Sequence, residues 1–301
     1  MAKAKILLKR RKSVRNTKKI TRTMEMVSTA KYKQAHSRIA ASQPYQDKLR
    51  EMMADLASAG AEVSHPLLES RAVKRSVILV ITSNRGLCGG YNTNLGLTAR
   101  EAIAREEESG AEVELRVVGK KGILYFRHRG IPMASTYDRF GDKITYAEVN
   151  GLADELIRRY SKPEIDRLTI VYQKFLSAGR QKPVAEVLLP LESIELVPDS
   201  DEPTAPAAPS SEKKWAPNYL FSPDPDGLMR ELLPAYCKST LFNDFLQASV
   251  GEHLARMVAM KNATDAANKL IKQLTRAYNR ARQSQITNEI AELMGGVEAL
   301  K

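Results

Sequence analysis

The sequence predicts an α/β chain: a middle domain of alternating strands and helices, flanked by one very long helix at each end. Three observations carry this. Residues 235–301 hold no proline and repeat apolar residues at helical spacing almost to the end, including Leu254, Met257, Ile271, Leu274, Tyr278, Ala281, Ile290 and Leu293. Residues 1–43 lack both proline and glycine and are rich in helix formers. Between them, short β-branched runs bounded by glycine alternate with helical stretches. A helix of some sixty residues reaches about 90 Å, beyond any compact body, so it needs a partner along its side. The other end of the same chain is the natural one.

The elements follow in order. The first helix is expected from near residue 3 to about 57, with a stripe of Ile20, Met24, Val27, Ala30, Ala35, Ile39, Leu49, Met52, Met53 and Leu56, and with Pro44 bending or interrupting it. Ser76–Ser83 reads as a buried strand, followed by a glycine-rich turn and a helix over Asn92–Glu108. Glu112–Val118 is a second strand, Lys120–Arg129 a short helix, Met133–Tyr137 a third strand and Thr145–Tyr160 a further helix. Ile165–Phe175 and Pro183–Leu189 complete a largely parallel sheet, closing with an antiparallel hairpin. Residues 197–214 are proline, serine, alanine and acid without apolar period, which predicts a disordered surface insertion. The last helix starts near Pro225 or afresh after Pro234. The resulting division is 1–60, 61–225 and 226–301.

Composition narrows the function. Aromatics make up only 6% of the 301 residues, so the apolar content suits helix seams better than a broad interior. The net charge is +12, and ten Lys and Arg residues from Lys3 to Arg22 precede the first acid, Glu25. So concentrated a charge seeks something acidic: nucleic acid, an anionic membrane surface or acidic loops of protein partners. A second basic set, from Arg256 to Arg282, lies on the last helix. Two cysteines, Cys88 and Cys237, far apart and in no metal-ligand spacing, argue for a reducing compartment. No run is long and apolar enough to span a bilayer, and the basic start lacks the apolar core of a secretory signal.

The sharpest local motif is SNRGLCGGYNTN, between a strand and a helix. It lacks the Gly-Lys-Ser/Thr ending of a phosphate loop and the spacing of a dinucleotide fold, so Arg85, Gly86, Cys88, Gly89 and Gly90 read as a structural turn, with Cys88 as a buried packing thiol. The four histidines share no ligand spacing, and no nucleophile elbow or paired acids stand out. No catalytic group, metal or cofactor is called for. The end of the chain is apolar: Ile290, Leu293, Met294, Val297 and Leu300 surround Gly295 and Gly296, a tip that water would not favour unless it is sheathed.

Residues 16–33 (NTKKITRTMEMVSTAKYK), the SNRGLCGGYNTN turn, residues 251–293 and the MGGVEAL tail together resemble the gamma subunits of rotary ATP synthases, in sequence and in order. The resemblance implies a left-handed antiparallel coiled coil of the two terminal helices and a Rossmann-like α/β foot. It also implies the role of a rotor shaft, turning inside a head of alternating alpha and beta subunits and touching the epsilon subunit and the membrane c-subunit ring. The shaft itself is not the catalyst and does not bind nucleic acid. By position, Met24, Arg282, Gln283, Thr287 and Glu289 match residues that the family places near the beta-subunit loops, and Ile290, Leu293, Met294, Val297 and Leu300 form the bearing tip. The turn would hold the foot together. Arg11 and Thr23 depart from the family's usual apolar and alanine residues, which predicts a looser or shifted seam. The lack of a cysteine pair in the insertion and of a transit peptide favours a bacterial protein, peripheral on the cytoplasmic face of the cell membrane. The rivals are a basic coiled coil on nucleic acid, which would need strict leucine heptads beside its basic region, and an enzyme built on the middle domain, which would need a fingerprint or nucleophile.

Overall fold

The computed structural model describes residues 2–58, 65–141, 143–177, 179–191 and 224–299. The elements run α1 (Ala2–Ser58), β1 (Arg75–Ile81), α2 (Tyr91–Glu108), β2 (Glu112–Val118), α3 (Lys120–His128), β3 (Ser135–Tyr137), α4 (Tyr146–Ser161), β4 (Arg167–Ser177), β5 (Arg180–Leu189) and α5 (Pro225–Ala299). The expected insertion at 197–214 lies outside the described residues, as do Leu300 and the side chain of Val297. The chain divides into two compact units. One holds Ala35–Asn84 and Asn92–Gly251; the other holds Met1–Gln34, Arg85–Tyr91 and Glu252–Lys301.

The first of these is the α/β unit. β1 is buried from Ser76 onward, the signature of a central strand covered on both faces. The sheet order is β3-β2-β1-β4-β5, with β1 parallel to β2 and β4, β2 parallel to β3, and β5 antiparallel to β4. The α/β class and the antiparallel closing hairpin are as the sequence predicts. Local chemistry fixes the joints. Thr145 caps α4 reciprocally: its hydroxyl accepts from the Glu148 amide, while Glu148 Oε2 accepts from the Thr145 amide at 2.9 Å. Thr82 Oγ1 donates to the Val118 carbonyl at 2.6 Å and accepts from the Gly122 amide at 3.0 Å, tying the end of β1 to the start of α3. Gly119, at φ +96°, must be glycine there, because a Cβ would run into the Thr82 carbonyl.

The core of this unit draws on both long helices. Met53 and Leu56 of α1, and Leu233, Cys237, Leu241 and Phe245 of α5, join Leu79, Ile81, Leu152, Leu156, Tyr160 and Tyr172. The α5 residues recur every fourth position, one helical stripe laid on the sheet layer. Both cysteines are free and buried.

One expectation about proline is corrected and one is resolved: Pro44 does not interrupt α1, and of the two starts expected for the last helix the one near Pro225 holds. α1 runs unbroken through Pro44, and α5 runs unbroken from Pro225 through Pro234. Pro44 and Ala40, whose carbonyl the proline leaves without an amide partner, are both exposed, so water can satisfy that oxygen. Around Pro234, Met229, Leu233 and Cys237 are all buried, and their packing holds the helix through the defect.

Candidate functional site

The second unit is built from the ends of α1 and α5 with the turn between β1 and α2. Its helices run antiparallel. The Arg11 guanidinium stacks 5.1 Å from the centroid of the Tyr278 ring, and the hydroxyls of Thr21 and Thr264 meet at 2.8 Å, so partners on α5 fall in number as α1 rises. In the α/β unit the Gln46 amide donates to the Ser239 carbonyl at 3.0 Å, in the same register.

Burial shows a heptad seam. On α1 the covered positions include 4, 7, 11, 14, 18, 21, 25 and 28; on α5 the matching line is 260, 264, 267, 271, 274, 278, 281 and 285. Steps of three and four alternate, a 3.5-residue repeat that closes only if the helices supercoil left-handedly. The occupants on α1 are mostly small or polar: Ala4, Leu7, Arg11, Val14, Lys18, Thr21, Glu25 and Ser28. Small residues at Ala4, Thr21 and Ser28, the long polar side chains of Arg11, Lys18 and Glu25, and the Thr21–Thr264 hydroxyl pair replace the leucines of an ordinary zipper.

Hence the apolar stripe expected on α1 is reassigned in part: Ala35, Leu49, Met53 and Leu56 are buried as expected, but the N-terminal members are not. Ile20 (60% exposed) and Val27 (49%) point away from α5, joined on the surface by Met26, while Thr21 and Ser28 are buried. Of the two departures expected to loosen or shift the seam, Thr23 does not lie in it. Thr23 is on the outer face, bonding back to the Lys19 carbonyl at 3.0 Å. Arg11 fills its place by lying on Tyr278.

The glycine turn is tied to α5. Arg256, buried within the helix face, donates from Nε to the Gly86 carbonyl at 3.2 Å and from Nη2 to the Arg85 carbonyl at 3.1 Å, and pairs with Glu252 at 2.7 Å. Gly89, at φ +59°, lies with its Cα hydrogen toward Ala259, whose Cβ would be 3.9 Å from any added Cβ. Cys88 is buried, its thiol directed to the Arg85 carbonyl, and Leu87, at φ +64°, is exposed. Tyr91 is buried under the turn; that burial, reinforced by the Glu252 charge, pushes its hydroxyl well above the usual phenol range. Arg256 is the residue that sequence reasoning missed as an anchor. Its signal was a lone arginine inside the small and apolar run LARMVAM.

The other candidate residues fall at two heights. Met24 is half-buried near the Thr21–Thr264 pair, while Arg282, Gln283, Thr287 and Glu289 are exposed. With this register, Met24 and Arg282 are about 30 Å apart along the axis, so they form two separate stations. Thr287 bonds back to the Gln283 carbonyl at 3.0 Å, and Gln285 donates to Glu289 Oε1 at 2.8 Å. At the tip, Ile290 (52%), Leu293 (72%) and Met294 (69%) are exposed. Among the described residues no cluster of His, Cys, Asp and Glu could hold a metal ion, and no helix is long and apolar enough to cross a membrane.

The two compact units, a helical hairpin closed by a heptad seam and a five-stranded α/β unit, define a two-part class of protein, coiled coil and α/β. The family model described as ATP synthase matches residues 3–300. The chain is 45% identical to the ATP synthase gamma chain of Rhodopirellula baltica and 40% identical to that of Leptospira biflexa, over the full length of each. Its fold matches a chain in the rotational state 3 structure of Euglena gracilis mitochondrial ATP synthase, with TM-score 0.64, 18% identity and coverage of 99% of this chain and 95% of that one. It also matches one in the central stalk and c-ring structure from Tetrahymena thermophila, with TM-score 0.56, 21% identity and coverage of 81% and 99%. The chain belongs to the ATP synthase gamma chain family.

Proposed function

We propose that this chain is the rotor shaft of an ATP synthase central stalk, coupling rotation of the membrane c-subunit ring to sequential conformational change at the beta-subunit catalytic sites. The observation that carries the reading is the heptad seam between the chain's two ends, which leaves an outer surface both basic and apolar. A paired helix resists twisting better than a single one, and its outward Ile20, Met26 and Val27, set among Lys9, Arg10, Lys12, Arg15 and Lys19, suit a surrounding wall of acidic and apolar loops. The alpha and beta subunits supply that wall, and the α/β unit meets the epsilon subunit and the c-ring.

Within this reading the chain divides into an N-terminal coiled-coil helix (1–60), an α/β foot (61–225) and a C-terminal coiled-coil helix (226–301). Met24 and the Arg282, Gln283, Thr287 and Glu289 group meet the beta subunits at two levels, and Ile290, Leu293, Met294, Val297 and Leu300 turn in an apolar sleeve. Arg85, Gly86, Cys88, Gly89 and Gly90 are structural. The chain is non-catalytic by itself, takes no cofactor, and sits peripherally on the cytoplasmic face of a bacterial membrane.

Co-expression with candidate alpha and beta subunits tests the reading through native mass and ATPase rate, with and without residues 280–301. The expected result is one copy per hexameric head and hydrolysis altered by the truncation. Failure to join any head, with tight salt-sensitive binding of DNA or RNA instead, overturns it.

A further inference from the structure

The β3 edge of the sheet is half covered. β3 pairs with β2 only from Arg116 to Val118, so the first half of β2 has a ladder on its β1 side alone. The Glu112 amide donates to the Lys74 carbonyl, whereas the Leu115 carbonyl accepts from the Ala134 amide, each at 2.8 Å. Backbone groups alternate sides along a strand, so those of Val113 face the β3 edge with those of Leu115. Two residues back along both chains, the next rung would run from residue 132 to the Val113 carbonyl, but Pro132 has no N–H to give. The ladder stops there, and the Val113 amide and carbonyl have no backbone partner among the described residues. A groove of about 500 Å³ opens on this stretch, with Val77, Val113, Leu115, Pro132, Met133 and Ile165 as its apolar lining. Ser76 lines it too: it stands beside Val113 in the β1–β2 register, is fully buried, and its hydroxyl is unpartnered among the described residues. Of the charged groups in the lining, Arg159 is held in a fork by Glu114 and also reaches Glu164, and Arg75 donates to the Pro163 carbonyl at 3.4 Å. Glu112 is exposed, and its carboxylate is paired with no cation among the described residues.

We propose that this groove docks an extended, cationic segment of a partner protein, which joins the open half of β2 as one more short strand. In an antiparallel pair one residue exchanges both bonds with the residue opposite, so a single peptide residue serves the Val113 carbonyl with its N–H and the Val113 amide with its C=O. Side chains of the added strand alternate faces. One falls on the face shared by Val113 and Ser76, where an aliphatic stem with a polar end suits the apolar lining and the unmatched hydroxyl. The next falls on the face of Glu112, where a lysine or arginine meets the free carboxylate. The site needs only the α/β unit, so it stands or falls apart from the shaft role.

The test is a nuclear magnetic resonance titration of the full-length, nitrogen-15-labelled chain with an amidated four-residue peptide of alternating lysine and glutamine. Saturable shifts are expected at the amides of residues 112–115, 133 and 134. A counterpart methylated on its backbone nitrogens keeps the charge and the side chains but cannot donate, and should bind more weakly by about tenfold. Glutamate in place of lysine should weaken binding too, through repulsion by Glu112. Ala134 is exposed at the groove, so Ala134→Trp fills the site without disturbing the core and should abolish the shifts. No saturable binding to the native chain, a methylated or acidic peptide that binds as tightly as the parent, or undiminished binding by the variant overturns the proposal.

Discussion

At the scale of single residues, two buried polar contacts hold the helix pair and its turn. Arg256 spends a planar fork of donors on two carbonyls and one carboxylate, which lysine cannot reproduce. Replacing Arg256 with methionine removes its hydrogen bonds to the Glu252 carboxylate and to two carbonyl oxygens, and about 3 kcal/mol of stability should be lost. Urea unfolding measures that loss, and amide exchange across residues 86–91 should accelerate more than across the sheet. The Thr21–Thr264 pair makes the opposite case. Changing either to valine leaves one hydroxyl facing a methyl, at about 1 kcal/mol, whereas changing both makes a dry, isosteric pair. A double-mutant cycle should therefore return a positive coupling, with the double variant close to the native chain. These residues also mark the limit of sequence reading. Ile20 and Val27 look like seam and Thr21 and Ser28 like surface, yet the structure reverses them. Apolarity identifies a covered face only where the chain itself does the covering.

At the scale of elements, strands and helices were legible almost throughout, because β-branched runs ended by glycine and a Thr-x-x-Glu cap carry their own geometry. The survival of α1 through Pro44 was not, since it depends on Pro44 and Ala40 both facing water; at Pro234 the sequence left two starts open, and the buried packing of Met229, Leu233 and Cys237 decides for Pro225. Two elements offer tests. Gly251 lets α5 approach β4, where an added Cβ would stand 2.7 Å from Gln173 Cγ. Gly251→Ala should destabilise despite alanine's helix advantage of about 1 kcal/mol, because the clash costs more. Thermal melts decide the sign. Across β2 and α4, Glu114 binds Arg159 in a fork at 2.9 and 2.7 Å and also takes Arg116 Nε at 2.7 Å. The Arg159 bonds, against burial and with help from Arg116, hold its carboxyl below the usual range. The stability it gives is thus present above the unfolded value of 4.5 and lost as pH falls through the depressed folded one. Glu114→Gln should weaken the fold at neutral pH, with the difference from the native chain closing in acid.

At the scale of the whole molecule, the two ends of the sequence are more than two hundred residues apart yet share one heptad seam, which only their folding together completes. The basic outer face and bare apolar tip make no sense for a free hairpin and good sense for an axle enclosed by other subunits. The candidate residues were visible individually in the sequence, but their separation into two stations about 30 Å apart required the register of the pair. The most direct test is single-molecule observation of a head assembled from the cognate alpha and beta subunits and this chain, with a probe attached to its α/β unit. The expected result is stepwise rotation of the probe in one direction while ATP is hydrolysed. Steady hydrolysis with a stationary probe, in heads that contain the chain, would contradict it.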